Sequence, residues 1–284
     1  APRQSSVPPF TRARYPAMIH PTALIEDGAR LGAGVEIGPF CHVGPGVELE
    51  DGVRLLSHVV VKGVTRIGAR SVVHPGAVLG GEGQIRGNDF PEGRLEIGAD
   101  CVMRELVTMN CGSRKDKGVT TVGSRGYFMA SSHVGHDCVV GDDVTFANSV
   151  ALGGHSIIGD GTIFGGLAAV QQFCRVGKGA MVGGLTGVNR DVIPYAMAFG
   201  DHAELAGLNL IGLKRRGLSR EAINAMRATF RKIFYGADGD IKSRAAAAKA
   251  EFAGIAEVAE IADFVLAPAK QKLCLARRRA GDEE

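Results

Sequence analysis

From Ile19 onward an apolar residue returns every six positions, and no other feature of the sequence restricts the fold so severely. The series runs Ile25, Leu31, Ile37, Val43, Leu49, Leu55, Val61, Ile67, Val73 and Leu79. It resumes at Ile97, Met103 and Met109. A third run goes from Val122 through Phe128, Val134, Val140, Phe146, Leu152, Ile158, Phe164, Val170, Val176 and Val182 to Val188. An amphipathic helix needs apolar spacing near 3.6 and a half-buried strand needs 2, so a period of six suits neither alone. It suits a parallel β-helix, in which short strands meet at corners and each coil stacks on the one before. With three hexads per coil, residues eighteen apart lie over one another at about 4.8 Å, and about 26 hexads build a prism about 40 Å long.

The fifth hexad position is mostly small (Ala23, Ala29, Val35, Cys41, Val47, Val53, Val59), which predicts a second inward column where the corners are crowded. Four of the six cysteines, Cys41, Cys101, Cys138 and Cys174, fall in that column, and no CxxC pair occurs. They read as small core residues of a reducing, cytoplasmic compartment rather than as metal ligands or disulfides. Glycine, at 41 of 284 residues, is about twice its usual share of roughly 7%. It follows the inward residue directly in Ile37-Gly38, Ile67-Gly68 and Ile158-Gly159, which assigns it to the corners. Aromatics make up 6% of the chain and tryptophan is absent, as a narrow aliphatic interior requires. Collagen is excluded because glycine keeps no third-residue period, and disorder is excluded because 45% of the residues are hydrophobic. No apolar run of 18 residues is present, so the sequence predicts no transmembrane segment.

The pattern begins near Met18, and residues 1–17 read as a leader that carries Arg3, Arg12 and Arg14 without an acid. Residues 18–200 are assigned to the β-helix, interrupted by loops at about 82–94 and 111–121, where glycine and charge break the phase. Residues 201–284 are assigned to a helical domain. Ser219 is positioned to cap a helix reaching Tyr235, and further helices are expected at about 240–253 and 255–266 and before the C-terminal tail. The overall charge of +3 equals that of the leader. Within Asn209–Tyr235, seven cations (Lys214, Arg215, Arg216, Arg220, Arg227, Arg231, Lys232) face only Glu221. The charge balance predicts no nucleic-acid partner, and the basic segment suits an acidic protein and a nucleotide diphosphate.

The segment His133-Val134-Gly135-His136-Asp137 breaks the bland repeat with reactive side chains. Period alone stacks His136, Gly154 and Gln172 in one file and Asp137 and His155 in the next. Acyl transfer to a hydroxyl needs a base of near-neutral pKa, a donor for the developing oxyanion, and a carboxylate to orient the imidazole. No serine or cysteine lies in the file, which favours direct attack over an acyl-enzyme.

The strings HPTALIEDGARLGAGVEIGPFCHVGPGVEL, HVGHDCVVGDD, LGGHSIIGD, QQFCRVGKGAMVGG, DVIPYAMAFGDHA and GLNLIGLKRRGLSREAI resemble the UDP-N-acetylglucosamine O-acyltransferases of lipid A synthesis, from about His20 to Tyr235. The resemblance implies a left-handed parallel β-helix, against the usual right-handed crossover rule, and homotrimers with active sites between subunits. It implies transfer of a 3-hydroxyacyl chain from acyl carrier protein to the sugar 3-position, with the chain delivered as a phosphopantetheine thioester and no cofactor or metal. His136 matches the general base, Asp137 its orienting partner and Gly154 the oxyanion donor. His133, His155 and Gln172 match substrate contacts, Asn209, Arg215 and Arg216 nucleotide and phosphate contacts, and His202 a residue near the acyl donor. Gly184, with Met181 close by, matches the acyl-length position, where glycine leaves the groove open to a longer chain.

The chain departs from the family in two places. The first loop reads GEGQIRGNDFPEG, where Gln84 and Arg86 stand near the family's Gln-Asp-Leu-Lys-like string, and Gln171 replaces a common histidine. Both sites lie near the sugar in the family, so a 3-amino sugar nucleotide remains open as acceptor. The sister N-acyltransferase of the pathway normally carries a uridine-binding domain ahead of its prism, and only the short leader precedes this one. A metal-dependent hydratase resembling γ-class carbonic anhydrase needs two histidines five apart, whereas His133, His136 and His155 lie three and nineteen apart. A structural or ice-binding scaffold would show flat Thr or Ser arrays, which are missing.

Overall fold

The computed structural model describes residues 19–87 and 90–277; the leader and the last residues lie outside this range. Twenty-five short strands, mostly of two residues, wind from Leu24–Ile25 to Gly187–Val188. They form three parallel sheets that are the faces of a triangular prism. The inward residues of face one include Val43, Val61, Met109, Val134, Leu152 and Val170; of face two, Leu49, Ile67, Val122, Val140 and Ile158; of face three, Leu55, Val73, Phe128, Phe146 and Phe164. Stacking follows the eighteen-residue register, as in Leu24↔His42 and Ile157↔Arg175. Amide-to-carbonyl rungs such as Gly38 N–H to Leu55 O at 2.8 Å join successive coils.

The predicted second column is buried from Val35 onward, including Val53, Val59, Ala77 and all four of its cysteines, while Ala23 and Ala29 at its start are partly exposed. All six cysteines are free and buried. Burial pushes the thiols up, to about 11 at Cys101 and about 12 at Cys138, so they are inert packing groups. The interior is wider than an aliphatic column suggests. Phe128, Phe146 and Phe164 stack edge-to-face inside face three, with centroids 5.1 and 5.0 Å apart.

Glycine directly after the inward residue has a different cause from backbone freedom. At Gly38, directly after an inward residue, a Cβ would lie 1.4 Å from the Leu56 carbonyl oxygen of the next coil. The left-handed conformation instead falls three residues after most inward residues. Among the described residues fifteen that are not glycine adopt it, including Phe40 (φ 59°), Asp137 (φ 59°) and His155 (φ 61°).

Both insertions leave the prism at one edge, between faces one and two. The first connects strands Val78–Gly81 and Arg94–Ile97, and the second connects Thr108–Asn110 and Val119–Val122. The second loop is therefore shorter than 111–121, because residues 119–121 pair with 94–96.

Beyond Pro194 one more strand, Ala196–Phe199, joins face three, and Glu204–Leu208 pairs antiparallel to it. This corrects the assignment of residues from 201 to a helical domain, since the helical part starts only at Leu210. It comprises α1 (Leu210–Arg215), α2 (Arg220–Tyr235), α3 (Ile241–Glu251) and α4 (Ala256–Leu266). Ser219 and Asp240 cap α2 and α3 through their side chains as N-caps do. The helix expected before the tail does not form up to Arg277. That segment is extended and bridges back to the prism at Asp191↔Leu273 and Leu205↔Ala276. A buried pair ties the two parts together: Arg175 Nε donates to Asp191 at 2.7 Å while its guanidinium covers the Phe264 ring at 4.3 Å.

Phe146 sits between two aromatic neighbours and is fully buried. Phe146→Ala is expected to cost about 3–5 kcal/mol, read from the shift in denaturant midpoint. A cost below about 1 kcal/mol would show that the phenyl stack does not hold the coils together.

Candidate active site

The edge between faces one and two carries the reactive residues. The strand His133–Val134 ends there, and the chain turns through His136 and Asp137 before Val139–Val140 starts the next face. The strand above, Ala151–Leu152, pairs in register with it, placing Gly154 over His136 and His155 over Asp137. The amide of His155 donates to the His136 carbonyl at 2.9 Å, and that of Phe173 to the Gly154 carbonyl at 3.2 Å. The two files deduced from the period are therefore present.

His136 is 5% and Asp137 4% exposed, so the pair sits inside the corner rather than on it. His136 Nδ1 lies 2.9 Å from Asp137 Oδ2. A carboxylate only accepts, so Nδ1 carries the proton and the lone pair is left on Nε2. Asp137 also accepts from the Ser113 amide at 3.0 and 3.1 Å and from the Ser113 hydroxyl at 2.6 Å. Its own amide donates to Thr120 Oγ1 at 2.8 Å. Burial alone would raise the Asp137 carboxyl; the donors from Ser113 and His136 outweigh it and hold the group below the usual carboxylate range.

Gly154 packs its bare Cα on the imidazole: a Cβ there would fall 2.4 Å from His136 Cε1 and 2.5 Å from Nε2. Its N–H donates to no acceptor among the described residues. His155 stacks flat on Phe173 at 4.4 Å and meets the His136 ring edge-on at 4.9 Å. Its Nδ1 lies 2.9 Å from Asp116 Oδ2. His133 Nδ1 pairs with Thr108 Oγ1 at 2.8 Å, and burial beside His136 pushes it below the ordinary histidine value, so it is neutral at pH 7. The ligand atoms of His136, Asp137 and His155 lie within 4.8 Å of one another. Asp137 already accepts from Ser113 and His136, and His155 Nδ1 lies against Asp116, which leaves the Nε2 atom of each imidazole unpartnered among the described residues.

The remaining predicted residues spread over the prism. Gln171 and Gln172 are exposed one coil above Gly153 and Gly154 on the same edge. His202 contacts Asn189 at 3.0 Å, and Asn189 stands one coil above Gln171. Gln84 and Arg86 are exposed on the first loop at this edge. Arg216 reaches the edge between faces two and three, donating to the Gly161 carbonyl at 3.0 Å. Arg215 is exposed beside it. Asn209 is buried there: it caps α1 by accepting from Gly212 at 3.0 Å and donates to the Gly179 carbonyl at 3.4 Å. Met181 and Gly184 belong to the third edge, where a Cβ on Gly184 would meet only the Gly166 backbone, at 3.2 Å. One chain thus brings the histidine group together and leaves the other groups on two different edges. Sequence reasoning missed Ser113, Asp116 and Thr120. The first two lie in a loop without period, and only their hydrogen-bonding chemistry beside the HxxHD string could have flagged them.

A family model described as UDP-N-acetylglucosamine O-acyltransferase, domain 2, matches residues 191–274. The acyl-[acyl-carrier-protein]–UDP-N-acetylglucosamine O-acyltransferase of Caulobacter vibrioides is 54% identical over 260 residues, covering 92% of this chain and 98% of its own length. The enzyme of the same name from Azorhizobium caulinodans is 49% identical over 258 residues, covering 91% and 95%. The solved structure of LpxA from Acinetobacter baumannii is 34% identical and superposes with a TM-score of 0.87 over 90% of this chain and 98% of that one. With the prism, the stacked histidine files and this similarity over nearly the whole length, the chain belongs to the UDP-N-acetylglucosamine O-acyltransferase family and shares its left-handed parallel β-helix.

Proposed function

We propose that this chain transfers a 3-hydroxyacyl group from acyl carrier protein to the 3-hydroxyl of UDP-N-acetylglucosamine, the first step of lipid A synthesis, with His136 as general base. The observation that carries the mechanism is the buried His136–Asp137 pair, whose Nδ1 is taken by the carboxylate and whose Nε2 is left to work. The sugar hydroxyl oxygen attacks the thioester carbonyl carbon while its proton passes to His136 Nε2. Negative charge collects on the carbonyl oxygen, where the uncommitted Gly154 N–H can donate. The intermediate collapses, the carbon–sulfur bond breaks, and the phosphopantetheine thiolate takes the proton back from His136. Asp137 stays ionised throughout and stabilises the imidazolium. The balance closes on an ester and a free thiol without a cofactor or metal.

His133, neutral and half-buried beside His136, binds the sugar with His155, Gln171 and Gln172, while Gln84 and Arg86 approach from the first loop. Asn209, Arg215, Arg216 and His202 serve the nucleotide and the acyl donor, and Gly184 and Met181 bound the acyl chain. Gly184 over Gly166 leaves a strip free of side chains, which suits a longer chain over a shorter one. These groups occupy three edges of one prism, so a complete site needs neighbouring copies side by side, as a homotrimer would place them. The basic α1–α2 segment docks the acidic carrier protein. Among the described residues no helix is long and apolar enough to cross a membrane. The six unpaired buried thiols support a cytoplasmic location.

Mass spectrometry of the product from UDP-N-acetylglucosamine and its 3-amino analogue, with a ladder of acyl carrier proteins, tests the reading. An ester on the natural sugar is expected; amide from the analogue alone would move the acceptor to nitrogen, and no product from either would overturn the assignment. His136→Ala should lower kcat by about 10²–10⁴-fold in a folded trimer, and wild-type turnover would remove the base from this residue. Gly154→Ala drives a methyl into the imidazole and should cost about 10²-fold in kcat; unchanged kcat would mean that the ring is free to move aside. Arg216→Glu should raise KM for the carrier protein or the nucleotide, and unchanged constants for both would exclude the basic segment from docking.

A further inference from the structure

The loop 111–118 lengthens one coil at the working edge. Met109 and Val134 are in register although 25 residues apart, where the regular coil spacing is eighteen. The extra chain rises beside the corner above it. Ser113 is fully buried, and both of its donors, the amide and the hydroxyl, end on Asp137. Asp116, exposed on the same loop, places Oδ2 2.9 Å from His155 Nδ1.

The arrangement resolves a competition. Asp137 Oδ2 lies 2.9 Å from His136 Nδ1 but also 4.0 Å from His155 Nδ1, so one carboxylate stands between two imidazoles. Left to itself, a buried carboxylate with two histidine neighbours can divide its hydrogen bond between them, and His136 then loses its fixed tautomer. Ser113 holds Asp137 by three contacts, two of them to the oxygen that faces His136, and Asp116 gives His155 a carboxylate of its own. Each imidazole is thereby matched to one acceptor at Nδ1, which leaves both Nε2 atoms for substrate.

We infer that Ser113 and Asp116 are positioning residues for the transferase reaction: Ser113 fixes Asp137 on His136, and Asp116 reserves His155 for the sugar nucleotide. The inference rests on the reading of His136 as base. Ser113 then acts on the chemical step and Asp116 on binding, and the two should separate in the kinetic constants.

Steady-state kinetics of Ser113→Ala, Ser113→Thr and Asp116→Asn in the full-length enzyme, with melting temperatures, test this. Ser113→Ala should lower kcat by about 10-fold or more while KM for UDP-N-acetylglucosamine stays within about twofold, and Ser113→Thr, which keeps the hydroxyl, should recover most of the loss. Asp116→Asn should raise that KM several-fold with kcat largely kept. A purely structural role would lower the melting temperature and the active fraction without changing the constants of the surviving enzyme. Wild-type constants in folded Ser113→Ala, or failure of threonine to rescue, overturns the role of Ser113. Should Ser113→Ala not fold, Asp116→Asn, a change at an exposed side chain, carries the test, and an unchanged KM there overturns the reservation of His155. An active His136→Ala enzyme would instead sink the base reading itself, so the two failures are distinguishable.

Discussion

The hydrogen-bonded rung between coils governs everything else in this molecule. Each inward residue's neighbours donate to the coil above at close to 2.8 Å, and the coil cannot tilt or slip without breaking a whole face of such bonds. Parallel stacking at about 4.8 Å then dictates which atoms fit where. Directly after the inward residue the next coil's carbonyl comes so close that only glycine or a carefully turned side chain is admitted, as Gly38 and Gly135 show. Two residues later the backbone must turn left-handed to reach the next face. A non-glycine residue gives up about 1–2 kcal/mol there, and fifteen of the described ones do so. Face-wide pairing over-determines the corner and offsets that strain.

The functional corner is built from these two constraints. The left-handed position holds Asp137, His155 and Phe173 in one file, so their side chains project side by side from successive coils. The slot just before it holds His136 and Gly154, and the absence of a Cβ on Gly154 is what lets the imidazole lie beneath its amide. Base, orienting carboxylate and bare amide therefore arise from an ordinary repeat by changing which side chain fills two slots. Asp137 is also suited to its slot as a short polar residue that tolerates a positive φ.

What could be read from the sequence follows the period. The inward columns, the cysteine burial and the two active files need only the count of six and eighteen, and each is present where the count places it. The cause of the glycine surplus could not be read, because steric closure to the next coil and a positive φ are both satisfied by glycine and differ only in three dimensions. Residues off the period were less legible. The strand Glu204–Leu208 follows Pro194, where the beat stops, and pairs antiparallel. The extended segment through Leu273 and Ala276 owes its shape to bridges with Asp191 and Leu205, far away in the chain. Ser113 and Asp116 belong to the same class, since their meaning depends on a loop folding back onto residues 24 and 39 positions later.

Both insertions leave at the edge that carries His136, although a prism of this kind has three edges to choose from. Along that edge the chain can add residues between faces one and two without altering the register of the third, because the strands before and after each loop still pair in phase, as Arg94–Ile97 does with Val64–Ile67. The loops pack against each other, with Arg114 over the Phe90 ring at 5.5 Å, so the lower one supports the one that reaches the dyad. Rigidity and variation are thus divided in space. The rungs fix where the imidazoles stand to within a hydrogen bond, and the irregular chain at the same edge decides which partner each imidazole keeps.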